Sequence, residues 1–254
     1  MRVVFMGKCK RSAARALDWL AGEADVVAVV SSEPDAFTRE EQRVDLVAER
    51  HGLRLVSAEQ VQDEPPGEVD LVVSFLFWQR IREPLRSAGR AGCLNFHPAP
   101  LPDMRGLGGY NVAVLEGMSE WGVSCHFVEP EFDTGDLVEV ERFPVDPDTA
   151  TAFSLDLEAQ ERLFALFQRV MRKALRGEQL PRTPQGDGRY VDRAEFESLR
   201  RVRPGDDLGR KLRAFWYPPY PGAVIEVDGR ELTLVDERLL ADAAAAYRDA
   251  GRVP

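Results

Sequence analysis

The chain alternates short apolar, β-branched segments with amphipathic segments of helical period, and this pattern constrains the fold most. The apolar segments predict buried strands at residues 2–6, 25–30, 53–56, 70–75, 92–96 and 122–128. The amphipathic segments 12–20 and 40–51 predict helices between them. Strands that alternate with helices in this way predict an α/β fold with a doubly wound, mostly parallel sheet.

The second half of the chain predicts a long helix followed by a small module. Residues 137–143 alternate apolar and charged side chains, which is typical of an edge strand or hairpin partner. Apolar residues recur at helical spacing over 151–177, where Thr149 or Thr151 can cap the start and Gly177 the end.

Residues 178–188 are rich in Pro, Gly and polar residues, which predicts a linker between a domain at 1–180 and a small α+β module at 189–254. In the module we expect a helix at 205–215, a Pro-rich turn at 217–222, and a final helix from 238 onward. Asp228-Gly229 between two alternating segments, 223–227 and 231–235, predicts a β-hairpin.

Composition limits the classes of partner. Lys and Arg total 33 against 43 Asp and Glu, and the net charge of −10 makes nucleic-acid binding unfavourable. The Arg-rich stretch 200–213 is interpreted as a solvated helix face. Three scattered cysteines without a C-x-x-C pair favour reduced thiols and a cytoplasmic location, and the apolar runs are too short for a signal peptide or a membrane span.

Polar side chains follow two of the predicted strands. Asn95 and His97 end one strand, before three prolines that force the chain out of regular structure. Their spacing puts both side chains on one face and Phe96 on the other. Asp133 follows the next strand, in an Asp-Thr-Gly turn where we expect Gly135 to supply unusual dihedral angles. Ligands in open α/β sheets bind at such strand ends, so these residues are candidates for a functional site. A hydrogen bond that caps the strand end at His97 and a plain Asx turn at Asp133 are the structural alternatives.

Other motifs are less specific. The turn at Gly7 lacks both the dinucleotide and the P-loop glycine patterns, so a plain strand-to-helix turn is favoured, with an anion contact left open. A metal site is not expected. His51 lies on a remote element, and Cys125 faces the opposite side of its strand from His126.

The motifs together resemble the folate-dependent formyltransferase family, which includes sugar N-formyltransferases, methionyl-tRNA formyltransferases and glycinamide ribonucleotide transformylase. The resemblance covers most of residues 1–180 and is carried by these segments: Asn95-Phe96-His97-Pro98, Leu101-Pro102, Arg105-Gly106, the strand 123–128, and Asp133-Thr134-Gly135. It implies a Rossmann-like formyltransferase fold, N10-formyltetrahydrofolate as formyl donor, a primary amine as acceptor, and catalysis by Asn95, His97 and Asp133.

The resemblance also implies binding residues. A pterin pocket formed by segments 77–82 and 128–133, largely through backbone groups, would involve Trp78, Arg80, Ile81, Glu129, Phe132 and Asp133. Candidate contacts of the amine acceptor are Arg105, Gly106, Tyr110, Asn111 and His126. For Tyr110 and Asn111 ordinary packing is an equal alternative, and for His126 a structural hydrogen bond to backbone is favoured.

Formyl transfer passes through a tetrahedral oxyanion, which gives each residue of the trio an expected role. Asn95 can donate a hydrogen bond to the oxyanion. His97, if protonated, is a stronger donor, and a nearby Asp133 would raise its pKa and favour that form. Asp133 can also accept the proton of the attacking amine.

The C-terminal module bears on the acceptor. Residues 215–223 resemble the small module of sugar N-formyltransferases, so a nucleotide-linked amino sugar is expected. Methionyl-tRNA, glycinamide ribonucleotide and hydroxyornithine remain open, as do a formyltetrahydrofolate hydrolase and a non-catalytic folate-binding protein. The aromatic residues 215–220 are interpreted as a small core, or otherwise as a stacking platform or a homodimer contact.

Overall fold

The computed structural model describes residues 1–241, which fall into two compact units. Unit 1 consists of Met1–Arg105, Gly122–Arg142 and Ala159–Arg189; unit 2 consists of Gly106–Trp121, Phe143–Glu158 and the described chain from Tyr190 onward. Unit 2 therefore includes two segments from within the predicted 1–180 domain. The predicted limits, 1–180 and 189–254, stay a prediction.

The described strands are short, and six of them form the main sheet. They are β1 Arg2–Gly7, β2 Asp25–Ser31, β3 Leu71–Phe75, β4 Cys93–His97, β5 Met104–Gly106, β6 Glu120–Phe127, β7 Leu137–Pro144, β8 Arg189–Val191, β9 Val224–Val227 and β10 Arg230–Thr233. The main sheet has the order β2-β1-β3-β4-β6-β7. Its first four strands are parallel and β6 is antiparallel to β4, which confirms the mostly parallel α/β sheet.

The described α-helices are α1 Arg11–Glu23, α2 Val44–Arg50, α3 Ala58–Asp63, α4 Leu85–Ala88, α5 Gly109–Leu115, α6 Ala152–Leu175, α7 Arg193–Arg200 and α8 Leu208–Ala214. The helix predicted at 40–51 is divided into a 3₁₀ turn, Glu40–Gln42, and α2, because Arg43 is extended between them. The strand predicted at 53–56 was wrong. That segment makes only one bridge, from Leu55 to Val29, at the outer edge of β2.

Local chemistry sets the ends of α6 as predicted. The Ser154 N–H donates to Thr151 Oγ1 (3.0 Å), and the Thr151 N–H donates to Ser154 Oγ (2.9 Å), so Thr151 is the cap. At the other end Gly177 has φ +74°, and the Glu178 N–H bonds back to the carbonyl of Lys173. A left-handed residue with this back-bonding is how many helices end.

The core of unit 1 is a stack of rings beneath the middle of the sheet. Phe75 and Phe96 stack at a centroid distance of 5.8 Å, and the ring of Phe167 in α6 meets both edge-on. All three side chains are fully buried. Phe96 thus points into the core, as the alternation in β4 predicts.

Unit 2 has its own small core. Six buried residues from α5, α8 and the chain around the hairpin pack together: Val114, Leu212, Ala214, Phe215, Ala223 and Leu239. The hairpin of β9 and β10 is confirmed, with Asp228 and Gly229 both at positive φ, as a type I′ turn requires. Phe215 is buried in this core, whereas Tyr220 is exposed. The predicted final helix begins at residues 237–241, and the rest of it lies outside the described residues.

Within residues 1–241, none of the helices has both the length and the apolar character that crossing a bilayer would need.

Candidate active site

Three neighbouring strands bring a row of polar side chains together. In the sheet register Asn95 of β4 lies beside Ser74 of β3 and beside His126 of β6. His97, two residues along, lies beside Ser124 of β6. Directly opposed residues on one face of a sheet are in side-chain contact, so the register itself assembles this site.

The amide of Asn95 is held at both ends. Its Oδ1 accepts a hydrogen bond from the Ser74 hydroxyl (2.6 Å), and its Nδ2 lies 3.0 Å from His126 Nε2 and 3.5 Å from Asp133 Oδ1. Since the Asp133 carboxylate can only accept, the NH₂ group of Asn95 faces Asp133 and His126, and Oδ1 faces the Ser74 hydroxyl. One amide proton reaches His126 and the second is directed toward Asp133.

His126 lies between a backbone carbonyl and Asn95. Its Nδ1 is 2.7 Å from the carbonyl oxygen of Phe127, which can only accept, so Nδ1 carries a proton. When the ring is neutral, its Nε2 accepts from Asn95. The side chain is 3% exposed. The hydrogen bond to the Phe127 carbonyl matches the structural alternative favoured for His126, and its contact with an acceptor stays a prediction. Ser74, which sequence reasoning missed, contacts the other end of the Asn95 amide.

His97 lies between a carbonyl and a carboxylate. Its Nε2 donates to the backbone oxygen of Met104 at 3.2 Å. Its Nδ1 is 3.5 Å from Asp133 Oδ1. The trio predicted from the sequence thus converges on one carboxylate oxygen, which is 3.5 Å from both Asn95 Nδ2 and His97 Nδ1.

The protonation expected for His97 needs correction. Burial lowers the pKa of His97 below its usual value, and His126 lowers it further, while Asp133 and the hydrogen bond to Met104 raise it without reversing the net direction. Asp133 acts on the pKa in the direction predicted, but desolvation outweighs it. His97 in the free protein is therefore mainly neutral at neutral pH.

The turn that carries Asp133 is shaped differently from the prediction. The residue with positive φ is Asp133 itself, at +58°, a conformation that Asp tolerates better than most residues. Gly135 has another reason to be glycine: a Cβ there would lie 2.0 Å from the carbonyl oxygen of Phe127. Close approach of two backbone segments, rather than an unusual dihedral, thus requires Gly135.

The Pro-rich loop after His97 is tied to β6 by a residue that sequence reasoning missed. Ser124, which is fully buried, donates to the carbonyl of Ala99 (2.7 Å) and accepts from the N–H of Leu101 (2.9 Å). Its position opposite His97 in the register is the signal that could have found it.

The predicted donor-binding residues differ in exposure. Trp78 is 45% exposed and packs against Phe77, and the Arg80 guanidinium lies 5.1 Å from the centroid of the Phe132 ring. Glu129 pairs with Arg86. The side chain of Ile81 is buried in the core, so only its backbone can meet a ligand.

The predicted acceptor-binding residues are already engaged within their own units. In unit 1 the Arg105 Nη2 donates to Gln185 Oε1 and to the carbonyl of Gly186. In unit 2 the Asn111 amide donates to the carbonyl of Ala214 (2.7 Å), which supports the packing alternative for Asn111.

Gly106 and Tyr110, also in unit 2, have local roles. Gly106 has φ +83°, and a Cβ there would meet the carbonyl of Val191 at 2.4 Å. Tyr110 packs on Trp121, and burial raises the pKa of its hydroxyl. In the described residues no group of three or more His, Cys, Asp or Glu side chains is arranged to hold a metal ion.

We expect Gly135→Ala to destabilise the protein by about 2 kcal/mol or more, because overpacking against fixed backbone typically costs about 1–3 kcal/mol. Gly186→Ala is the matched control, since a Cβ there meets nothing within 4 Å. Urea unfolding of both variants measures the difference. Equal stability of the two would contradict the close approach.

We expect the His97 pKa, measured by NMR titration of the imidazole, to lie below about 6.5 and to fall further in Asp133→Asn, which removes the charge that raises it. Because the pKa of His97 is lower in the folded protein than in the unfolded chain, the unfolded chain binds the proton more tightly. The free energy of unfolding should therefore decrease as pH falls from about 6.5 through the folded-state pKa. Glu131→Gln removes an exposed charge from the same loop and serves as control. An unchanged His97 pKa in Asp133→Asn would exclude the coupling.

Comparison with known proteins gives the family. Residues 1–170 match the model of the formyl transferase family. The methionyl-tRNA formyltransferase of Paracoccus denitrificans is 30% identical over 98% of this chain and 86% of its own length. The GDP-perosamine N-formyltransferase of Brucella melitensis is 29% identical over 63% of this chain and 62% of its own.

A solved structure has the same fold. The N-formyltransferase of Helicobacter canadensis, in complex with folinic acid and dTDP-3-aminofucose, superposes with a TM-score of 0.71 at 17% identity, covering 90% of this chain and 85% of that one. The matched segment of the family model includes Asn95, His97 and Asp133. This chain belongs to the formyl transferase family of enzymes.

Proposed function

We propose that this enzyme moves a formyl group from N10-formyltetrahydrofolate to the primary amine of a nucleotide-linked amino sugar. The observation that carries the proposal is the convergence of Asn95, His97 and Asp133 at one carboxylate oxygen. An amide donor, an imidazole and a carboxylate at one strand end are the groups that acyl transfer to an amine needs.

The reaction forms one bond and breaks another. The lone pair of the neutral amine attacks the formyl carbon, and the carbonyl oxygen becomes an oxyanion. The bond from that carbon to N10 then breaks, and N10 leaves as the amine of tetrahydrofolate after it gains a proton. Asn95, whose NH₂ is fixed by Ser74 and His126, donates to the oxyanion, because a prearranged donor costs no reorganisation when the charge develops.

The pair of His97 and Asp133 accepts the proton that the amine loses. The Nε2–H of His97 is used by Met104, so in the neutral ring Nδ1 is an acceptor that faces the acceptor oxygen of Asp133. The charge of Asp133 stabilises a proton on Nδ1 and so opposes the desolvation that disfavours it. The protonated pair then supplies the proton that N10 needs on leaving.

The formyl donor fits the residues near the Asp133 turn. Trp78 offers an exposed ring for contact with a flat heterocycle, and Arg80, held over Phe132, offers a cation for a carboxylate of the donor. The Helicobacter canadensis relative, whose fold this chain shares, was solved with folinic acid, a related folate.

Two observations favour an amino-sugar acceptor over methionyl-tRNA. Within the described residues, four of the six Lys and Arg side chains in the stretch 200–213 pair with carboxylates: Arg200 and Arg201 with Glu231, Arg210 with Asp207, and Lys211 with Asp206. These pairs reduce the positive charge available to a tRNA backbone in a chain of net charge −10. Two of the relatives carry names that specify nucleotide-linked amino sugars.

The proposal is tested by incubating the protein with N10-formyltetrahydrofolate and a panel of amines, with formylated product and tetrahydrofolate measured by mass spectrometry. The panel contains GDP- and dTDP-linked amino sugars, methionyl-tRNA, glycinamide ribonucleotide and hydroxyornithine. We expect a formylated amino sugar. Formylation of another member would reassign the acceptor, and release of formate alone would contradict transfer in favour of hydrolysis.

We expect Asn95→Ala to lower kcat by about 10²–10³, the usual effect of losing one oxyanion donor. Asp133→Asn should lower it by about 10²–10⁴, because the proton acceptor is lost. Asp187→Asn, an exposed carboxylate outside the segments expected to bind the donor, is the control and should keep wild-type turnover. Wild-type kcat in Asp133→Asn would remove Asp133 from the mechanism.

A further inference from the structure

The segment 182–188, predicted from its composition to be a linker, lies on the turn that carries Asp133. Thr183 and Leu137 exchange two backbone hydrogen bonds, of 2.8 and 3.0 Å. Arg182 stacks over the Phe127 ring, 3.5 Å from its centroid, and lies 3.6 Å from Asp136. All these residues belong to unit 1.

One side chain of this segment reaches the turn itself. Gln185 Nε2 donates to the carbonyl oxygen of Gly135 at 2.6 Å. Gly135 is buried, so its carbonyl needs a partner, and Gln185 provides one. Gly135 also lies against the carbonyl of Phe127 in β6. The residue two positions after Asp133 is thus in contact with both β6 and Gln185.

Gln185 is in turn oriented by the Pro-rich loop. Its Oε1 accepts from Arg105 Nη2 at 3.0 Å, and the same nitrogen donates to the carbonyl of Gly186 at 2.8 Å. With Oε1 facing a guanidinium and Nε2 facing a carbonyl, the amide has one orientation. Gly188 also approaches this loop closely, since a Cβ there would overlap the carbonyl of Pro102.

We propose that Gln185 is a positioning residue for the reaction: it links the loop that follows His97, through Arg105, to the turn that carries Asp133, through Gly135, and so sets the distance between His97 and Asp133. This inference rests on the proposed function for its kinetic consequence alone. It gives Arg105 a role in this link rather than in binding the acceptor.

The consequence follows from how Asp133 acts on its neighbours. The carboxylate is 3.5 Å from both Asn95 Nδ2 and His97 Nδ1, a separation at which a small displacement matters for proton transfer. The charges that face His97 are those of Asp133 and, when protonated, His126. Loss of the hydrogen bond from Gln185 to the Gly135 carbonyl lets the turn that carries Asp133 move. The Asp133 carboxylate then has a weaker effect on the pKa of His97.

The test is Gln185→Leu, which removes both hydrogen bonds without changing charge. Asp187→Asn, an exposed position in the same segment, is the matched control. We expect kcat to fall about ten- to a hundred-fold while the acceptor KM stays within about two-fold, since misplacement of a reacting group affects the chemical step. In the Asp133→Asn background the same substitution should have little further effect, because coupled sites are not additive.

A second readout does not depend on turnover. NMR titration of His97 should give a lower pKa in Gln185→Leu than in wild type, in the direction of the Asp133→Asn variant. The chain has only three histidines, so the signals can be assigned by substitution. Gln185→Asn, which shortens the side chain and withdraws the donor, replaces Gln185→Leu if the latter does not fold.

The outcomes separate the two proposals. If wild-type protein formylates no amine in the panel, the proposed function fails, and the His97 titration still tests Gln185. If wild type is active but Gln185→Leu keeps both its kcat and its His97 pKa, the positioning role is overturned. A lowered melting temperature with an unchanged His97 pKa also overturns it, because Gln185 would then serve only stability.

Discussion

β4 pairs with β3 on one side and β6 on the other, and the chemistry of the site depends on the register of these two ladders. The parallel ladder puts Ser74 beside Asn95, and the antiparallel ladder puts His126 beside Asn95 and Ser124 beside His97. A slip of one residue in either ladder would turn these side chains to the opposite face. The ring stack of Phe75, Phe96 and Phe167 fills that face, and so the packing of the core enforces the register of the site.

Hydrogen bonding and burial both act on this group of residues. The half-buried amide of Asn95 is oriented by its contacts with Ser74 and His126. Burial makes the charged form of His97 unfavourable and lowers the pKa of His97, while the charge of Asp133 acts in the opposite direction.

Sequence patterns predicted the main sheet, the long helix α6, the hairpin turn and the convergence of Asn95, His97 and Asp133. The sheet, the helix and the hairpin follow from local rules: alternation, capping and the Asp-Gly turn. The grouping of Asn95, His97 and Asp133 came from their positions at strand ends and from the family resemblance. What could not be predicted depended on pairing across distant segments. Ser74 and Ser124 are ordinary strand serines until the register puts them beside Asn95 and His97. A glycine is required at position 135 because the backbone of Phe127 lies so close to it. Gln185, which contacts Gly135, belongs to a segment whose composition indicates only a linker.

The interleaving of the two units has a consequence for synthesis. The core of unit 2 joins Val114 in α5 to Leu212 and Phe215, about one hundred positions later in the chain. On the ribosome α5 therefore emerges long before its partners do. The same order applies in unit 1, since Phe167 is synthesised after β1, β3 and β4. Contacts of high sequence separation form slowly. One face of the parallel strands therefore stays exposed until α6 can pack on it. That exposed apolar surface makes the partly synthesised chain prone to aggregation until α6 has been made.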